Sequence, residues 1–447
     1  MNTPIVDFVR TYAEHASLRL HMPGHKGTPL LGFEAFDITE VAGADSLYEA
    51  DGIIRESEHN ASLLFGCPTY YSTEGSSQCI RAMLYLVMLH AKEQGIDRPL
   101  ILAGRNAHKT FLSAVALLAL DVDWLFPAEG WYLSCDISPD RLDAVLSSYE
   151  IKPAAVYLTS PDYLGNVLDV ERLSEVCRKH GVLLLVDNAH GAYLKFLSPS
   201  LHPMDLGADL CCDSAHKTLP VLTGGAYLHI GAHLPMGLKS QVKQALALFG
   251  STSPSYLILQ SLDMANAVLA GKDFTPSLMD TAKRVEACRV KLMAHGINAM
   301  QGDEPLKLTL YPHHHGYTGI EVAQYLREHG IECEFADPDF VVLMITPAIT
   351  EADLERLTEV LMSLPRRAPL FLCPPSLVPP ERVMSVREAS LSPAETLPVG
   401  ECVRRVLAAA TVGCPPAVPI VVSGERIHED AVACFKYYGI ETCSVVK

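Results

Sequence analysis

The chain has no Cys-x-x-Cys pair. Its 13 cysteines stand singly except for the neighbours Cys211 and Cys212. That spacing excludes a zinc ribbon and a redox dithiol, and it suits reduced, mostly buried thiols in a cytoplasmic protein. Positive charge is scarce: 35 Lys and Arg stand against 52 Asp and Glu, for a net charge of −17. Generic nucleic-acid binding is thereby excluded. Long apolar runs are missing as well. "AMLYLVML" is too short to cross a bilayer and reads as a buried helix. The opening "MNTPIVDFVRTYAEHA" is an amphipathic helix carrying acids, unlike a signal peptide. No membrane role is therefore expected. There is no internal repeat, no low-complexity tract, and no Gly-Lys-Ser/Thr of a Walker loop.

Apolar side chains make up 49% of the 447 residues and charged ones 19%. Such a chain builds a large interior divided over two or three domains. Residues 19–51 are irregular, punctuated by Gly and Pro, and hold "LHMPGHKGTPLLG" and "DITEVAGADSLYEADG". Their aromatics, histidines and acids suit a binding loop better than a linker. From 54 to 230 helical and strand patterns alternate. "PLILAG", "VDWLF", "AAVYLTS", "VLLLVD", "ADLCCDS" and "GGAYLHI" read as strands, with helical stretches between most of them. Continuous apolar strands alternating with helices predict a mostly parallel sheet covered on both faces. Long helices are expected over "PMGLKSQVKQALALFG", "SPSYLILQSLDMANAVLAG" and "SLMDTAKRVEACRVKLMAHG". From about residue 297 a second, smaller α/β unit follows, and "APLFLCPPSLVPPERV" is a proline-rich connection. "HHHG" at 313–316 reads as a polar loop, because three consecutive side chains cannot easily converge on one ion. No metal is expected. Cys211 and Cys212 should face opposite sides of a strand. The "AAA" of "VLAAATVG" reads as helix packing.

Ligands of open α/β sheets bind beyond the carboxyl ends of the strands. The residues there are "STEGSSQ", "RNAHKT", "PDYLGN", "NAHGAY" and "SAHKT". Gly75 permits a close turn, and Ser76 and Ser77 open a helix. Their hydroxyls and backbone N–H groups can cradle an anion, although the same motif serves as an ordinary helix cap. Asp187 ends an apolar strand. Lys217 follows it thirty residues later. A phosphate cradle, an acid and a lysine in this order suit pyridoxal 5′-phosphate. The lysine forms a Schiff base, the acid keeps the pyridine nitrogen protonated, and the helix start holds the phosphate. His108 is a candidate to stack on the ring.

The set "HMPGHKGT", "DITEVAGAD", "RNAHK", "DNAHGAY", "SAHKTLPVLTGGA" and "STSPSY" resembles the Orn/Lys/Arg decarboxylase family of fold-type I pyridoxal-phosphate enzymes. "CPPAVPIVVSGERI" extends the likeness more weakly. The resemblance implies an aspartate-aminotransferase-like large domain with a mostly parallel seven-stranded sheet, plus a smaller C-terminal α/β domain. It implies a compact bacterial form without an N-terminal wing domain. The expected division is a helix and substrate-channel segment at 1–55, a cofactor-binding domain at 56–296 and a small domain at 297–447, with the proline-rich linker at about 366–382.

Carried over by position, the resemblance makes Lys217 the Schiff-base lysine, Asp187 the pyridinium partner and His108 the stacking residue. Ser76, Ser77 and Ser214 would hold the phosphate with His216 beside it. His190 would lie near the ring oxygen or the substrate carboxylate. Thr252, with Ser251, would reach a neighbouring subunit's phosphate. A homodimer or higher homo-oligomer with shared active sites follows. His25, Lys26 and Glu425 would border the substrate channel, and Glu425, Asp45 and Glu49 are candidates for the substrate's distal cation. The implied activity is decarboxylation of arginine, lysine or ornithine. Alternatives are another fold-type I activity such as aminotransfer, and a regulatory relative that binds the cofactor without turnover. The chain departs from the family pattern at Asn188, where an acid is usual, at Gly224, where Gln is usual, at Ser46, and in the phosphate loop.

Overall fold

The computed structural model describes residues 1–15, 17–127, 132–376, 378–409 and 417–447. Seven strands form the expected sheet: β1 (Thr69–Ser72), β2 (Leu100–Gly104), β3 (Asp121–Leu125), β4 (Ala155–Thr159), β5 (Leu183–Asp187), β6 (Leu210–Asp213) and β7 (Ala226–Ile230). Their order is β1-β7-β6-β5-β4-β2-β3. β5 and β6 run parallel, as do β2 and β3. β7 is antiparallel to both its neighbours. Residues 214–225 supply only one helical turn, Ala215–Thr218. That is too little for a crossover, so the chain returns antiparallel.

Contacts divide the chain into two units. One comprises Met1–Asp97, Leu142–Leu158 and Asp169–Pro276. Its β5, β6 and β7 are apolar almost throughout, as strands covered on both faces must be. The N-terminal helix Pro4–Glu14 buries Ile5, Val6 and Val9. Its first N–H groups are received by the Asp263 carboxylate, at 2.9 Å from Ile5 and 3.0 Å from Val6. Residues 19–51 carry no regular element beyond the short turn Leu47–Glu49. One expected long helix is instead two short ones, Met236–Lys239 and Val242–Ala247. Ser240 lies at the junction, its hydroxyl bonded back to the Gly237 carbonyl at 2.8 Å.

The second unit comprises Arg98–Arg141, Thr159–Leu168 and Ser277–Lys447. It carries β2 and β3 and two further sheets. One is formed by β8 (Asn298–Ala299), β9 (Lys307–Tyr311), β10 (Phe335–Ala336) and β11 (Val341–Met344), the other by β12 (Ala394–Pro398), β13 (Leu407–Ala409) and β14 (Thr442–Val446). Leu308, Leu310, Val341 and Leu343 pack with Val322, Leu326, Leu357 and Leu361 from the helices Gly319–Glu328 and Glu351–Met362. Two expectations fail here. The alanines at 408 and 409 belong to β13, paired with β14, and Ala410 lies outside the described residues. "HHH" is a 3-10 turn, Pro312–His315, with His313 and His315 buried. His313 Nε2 lies 2.8 Å from the Pro338 carbonyl and His315 Nε2 3.0 Å from that of Leu364, so backbone acceptors take these rings into the core.

Candidate functional site

In the first unit β1 and β6 both oppose β7, and β5 runs with β6. The carboxyl ends of β1, β5 and β6 therefore open on one edge. That edge carries Gly75–Ser77, Asp187–His190 and Ser214–Lys217. Gly75 has φ +70°, a conformation that favours glycine, and it caps the helix Ser76–Glu93. Its N–H donates to the Gly224 carbonyl at 2.8 Å. Ser72 braces the same turn, with its hydroxyl 3.0 Å from the Gly75 carbonyl and 2.6 Å from Gln78 Oε1. The Ser214 hydroxyl donates to Ser76 Oγ at 2.6 Å. Two sequence-distant hydroxyls thus meet at a helix N-terminus, an arrangement that receives an anion.

Asp187 is buried, 2% exposed. Its Oδ2 accepts the Tyr157 hydroxyl at 2.9 Å, and its Oδ1 accepts the Ala189 N–H at 3.2 Å and faces the Cys212 thiol at 3.7 Å. Burial, then the Asp187 charge, pushes the Tyr157 phenol well above its usual range, so Tyr157 remains a donor. Lys217 is half-buried, and its Nζ lies 3.0 Å from His190 Nε2. His216 Nδ1 lies 3.1 Å from the Gly225 carbonyl. Ser76, Ser214, Asp187, His190, His216 and Lys217 are thus gathered within one unit. Tyr157 was missed from the sequence, where it looked like one more apolar strand residue.

The other expected residues have the following partners. Thr252 is exposed on a bend. His25 Nε2 pairs with Asp37 at 3.1 Å, and Lys26, at φ +56°, donates to the His21 carbonyl. Asp45 receives the N–H groups of Gly52 at 2.9 Å and Ile54 at 3.0 Å, organising the start of the helix Ile53–Phe65. Glu49 is exposed. In the second unit His108 caps the helix Lys109–Leu118, its Nδ1 accepting the Thr110 N–H at 3.2 Å. Glu425, 2% exposed, pairs with Arg105 at 3.0 Å and accepts the Val422 N–H at 2.8 Å. It also borders a cavity of about 250 Å³ with Trp124, Arg382 and Ser423. Arg105 binds the carbonyls of Pro419 at 3.1 Å and Ile420 at 2.9 Å. It therefore fastens "RNAHK" to "PIVVSGE"; the Cys414–Pro416 portion of the C-terminal motif lies outside the described residues.

Gly224 is explained by its surroundings. It has φ +98°, and a Cβ there would stand 3.0 Å from the Thr73 carbonyl oxygen and 3.0 Å from Ile258 Cδ1. A larger side chain would press on the turn that Gly75 begins. Asn188 is fully buried and donates through Nδ2 to Asp213 Oδ1 at 2.6 Å.

An arginine decarboxylase of Halalkalibacterium halodurans is 28% identical to this chain, covering 96% of it and 92% of the relative. An arginine decarboxylase of Bacillus subtilis is 26% identical over 96% of the chain and 92% of its own length. The lysine decarboxylase structure from Francisella novicida superposes with TM-score 0.82 at 16% identity, covering all of this chain and 81% of the other. Lysine decarboxylase A of Pseudomonas aeruginosa gives TM-score 0.80 at 17% identity, over 99% of this chain and 80% of that one. The family model for the Orn/Lys/Arg decarboxylase major domain matches residues 3–307. The chain belongs to the Orn/Lys/Arg decarboxylase family, a family of decarboxylases built on the fold-type I pyridoxal-phosphate architecture.

Proposed function

We propose that the chain binds pyridoxal 5′-phosphate and decarboxylates a basic amino acid. Arginine would give agmatine, lysine cadaverine or ornithine putrescine, with CO2. The observation that carries this reading is the gathering of Lys217, His190, Asp187, Ser76 and Ser214 at the carboxyl edge of β1, β5 and β6. The donor set fits the cofactor. Paired hydroxyls at a helix start suit a phosphate, a buried carboxylate suits a protonated ring nitrogen, and an amine beside an imidazole suits an aldehyde. Lys217 would hold the aldehyde carbon. Gly75, Ser76, Ser77 and Ser214 would hold the phosphate, with His216 beside them and Thr252 of a second copy completing the set. Asp187 would hold the ring nitrogen and His108 the ring face. When bound, the cofactor supplies an electron sink for the bond that releases CO2.

The protein's own contribution is orientation and proton handling. Tyr157 and the Ala189 N–H fix the Asp187 carboxylate. Lys217 Nζ, or the His216 imidazole, returns a proton to the substrate Cα. His190 is placed to pass a proton to or from the lysine by direct contact. A homodimer with shared sites is part of the same reading; in the single chain Leu18, Leu20, Leu30 and Leu31 of the N-terminal segment are each at least three-quarters exposed. Among the described residues no helix is long and apolar enough to cross a membrane. A cytoplasmic location is part of the same proposal. The test is CO2 release from arginine, lysine and ornithine in parallel, with the Lys217→Ala variant as control. Keto-acid formation in place of CO2 would favour aminotransfer.

A further inference from the structure

We propose that Asn188 and Asp213 form a single-charge clasp that positions the strand ends bearing Asp187 and the Ser214–Lys217 turn, with His229 as its cationic counter-group. The clasp rests on the cofactor site proposed above for its function, but its geometry stands within the first unit alone. Asn188 is the residue after β5 and Asp213 the last of β6. Asn188 holds β6 twice, through its backbone N–H to the Cys212 carbonyl at 3.0 Å and through Nδ2 to Asp213 Oδ1 at 2.6 Å. Each partner adjoins a residue of the site: Asp187 precedes Asn188, and Ser214 follows Asp213.

Asp213 is completely buried, and its Oδ2 faces two rings, His202 Nε2 at 3.1 Å and His229 Nε2 at 3.0 Å. The protons can be assigned from the remaining bonds. His202 Nδ1 accepts the Met204 N–H at 3.3 Å, so its proton is on Nε2 and the ring is neutral. The Thr69 hydroxyl lies 3.0 Å from the Cys67 carbonyl and 2.9 Å from His229 Nδ1, and the Cys67 sulfur lies 4.0 Å from the same nitrogen. With the hydroxyl's one proton placed on the carbonyl, its oxygen accepts from Nδ1, and His229 carries hydrogen on both nitrogens as a cation. The same cluster brings donor atoms of His202, Cys211 and Asp213 within 4.8 Å of one another. A metal there would need an unprotonated His202 Nε2, which the Met204 contact denies.

Burial pushes the Asp213 carboxyl up, but the two rings that face it, His202 and His229, outweigh it and hold the group below the usual carboxylate range. Burial pushes the His229 imidazole down, and Asp213 together with Cys67 more than offsets it. Cys79, Cys211, Cys212 and Tyr227, which also feel the Asp213 charge, are all pushed up by burial and stay neutral. Asp213 and His229 thus form one ion pair, while the buried Asp187 carboxylate lies on the other side of Cys212. A carboxylate at 188 would set two acid oxygens 2.6 Å apart. Among the described residues Asn188 Oδ1 has no hydrogen-bond partner, so the amide serves only as a donor to Asp213.

The test is pyridoxal-phosphate binding to apo-protein, followed by absorbance from pH 6 to 8.5, for the unaltered chain, Asn188→Asp and Asp213→Asn. A second readout is the ring-nitrogen NMR of His229. The isosteric Asn188→Asp should bind about tenfold or more weakly at pH 8.5 and recover toward pH 6, where one proton is shared by the two acids. The unaltered chain should vary little over that range. His229 should be doubly protonated at pH 7.5 and neutral in Asp213→Asn. If Asn188→Asp folds poorly, its loss of melting temperature should be larger at pH 8.5 than at pH 6. An Asn188→Asp variant that binds as the unaltered chain does at every pH would overturn the clasp, as would a singly protonated His229. Failure of the unaltered chain to bind the cofactor would instead sink the proposed function, while the NMR still decides the charge state.

Discussion

Lys217 Nζ and His190 Nε2 stand 3.0 Å apart at the edge of the sheet where β5 and β6 end. An amine and an imidazole at that distance are within hydrogen-bond reach, which places His190 to pass a proton to or from the lysine. His190→Ala should keep the cofactor chromophore, because Lys217 remains. Turnover should fall by about 10²-fold, the usual scale for losing one proton-handling group. Absorbance and CO2 release on the same preparation check this; unchanged turnover would remove His190 from the chemistry.

Tyr157 is the second lever on the site. Its hydroxyl donates at 2.9 Å to a buried carboxylate, a kind of bond worth about 1.5–3 kcal/mol. Tyr157→Phe should weaken cofactor affinity by about tenfold or more, since 1.4 kcal/mol is a factor of ten. The fold should survive, because only an oxygen is removed. Equilibrium titration and circular dichroism separate the two effects.

Glu425 was expected at the substrate channel, and the structure shows its carboxylate held by Arg105 and the Val422 N–H. Removing it strands a guanidinium that is itself 7% exposed. Glu425→Ala should therefore destabilise the protein by about 3–5 kcal/mol. Chemical denaturation reads this directly, and a KM change without loss of stability would return Glu425 to the substrate.

Asp337 makes stability depend on pH. Burial, partly offset by the Phe340 and Asp339 N–H groups, raises its carboxyl from 3.8 to about 7. The unfolded chain has lost this proton by about pH 5, whereas the folded chain keeps it up to about pH 7. The folded state thus binds more protons in that window, and this group's contribution falls as pH rises from about 4 to 7. Asp337→Asn should raise stability at pH 8 by about 1–3 kcal/mol and do little at pH 4. Melting curves at the two pH values check the sign.

The strands and the lysine turn were legible because their signals are local. Apolar runs of strand length and polar residues at their ends give the sheet and the Lys217 edge without long-range knowledge. What was hidden depends on pairs far apart in the chain. Arg105 and Glu425 are 320 positions apart, and Asn188 and Asp213 lie on different strands. Asn188 therefore looked like a bare departure from the family pattern, and Asp213 was not singled out at all. The lone histidines at 202 and 229 were its only sequence signal. Gly224 looked equally arbitrary until its positive φ and the nearby Thr73 carbonyl supplied the reason. The buried "HHH" turn was misjudged because backbone acceptors, invisible in a sequence, draw two of its rings inside.

The most direct test of the central claim is CO2 release from arginine, lysine and ornithine with added pyridoxal phosphate, measured beside Lys217→Ala. The account predicts release from at least one of the three. It also predicts that Lys217→Ala loses both the bound-cofactor absorbance and all turnover. Normal CO2 release from Lys217→Ala, or none from any basic amino acid by a cofactor-loaded protein, would contradict it.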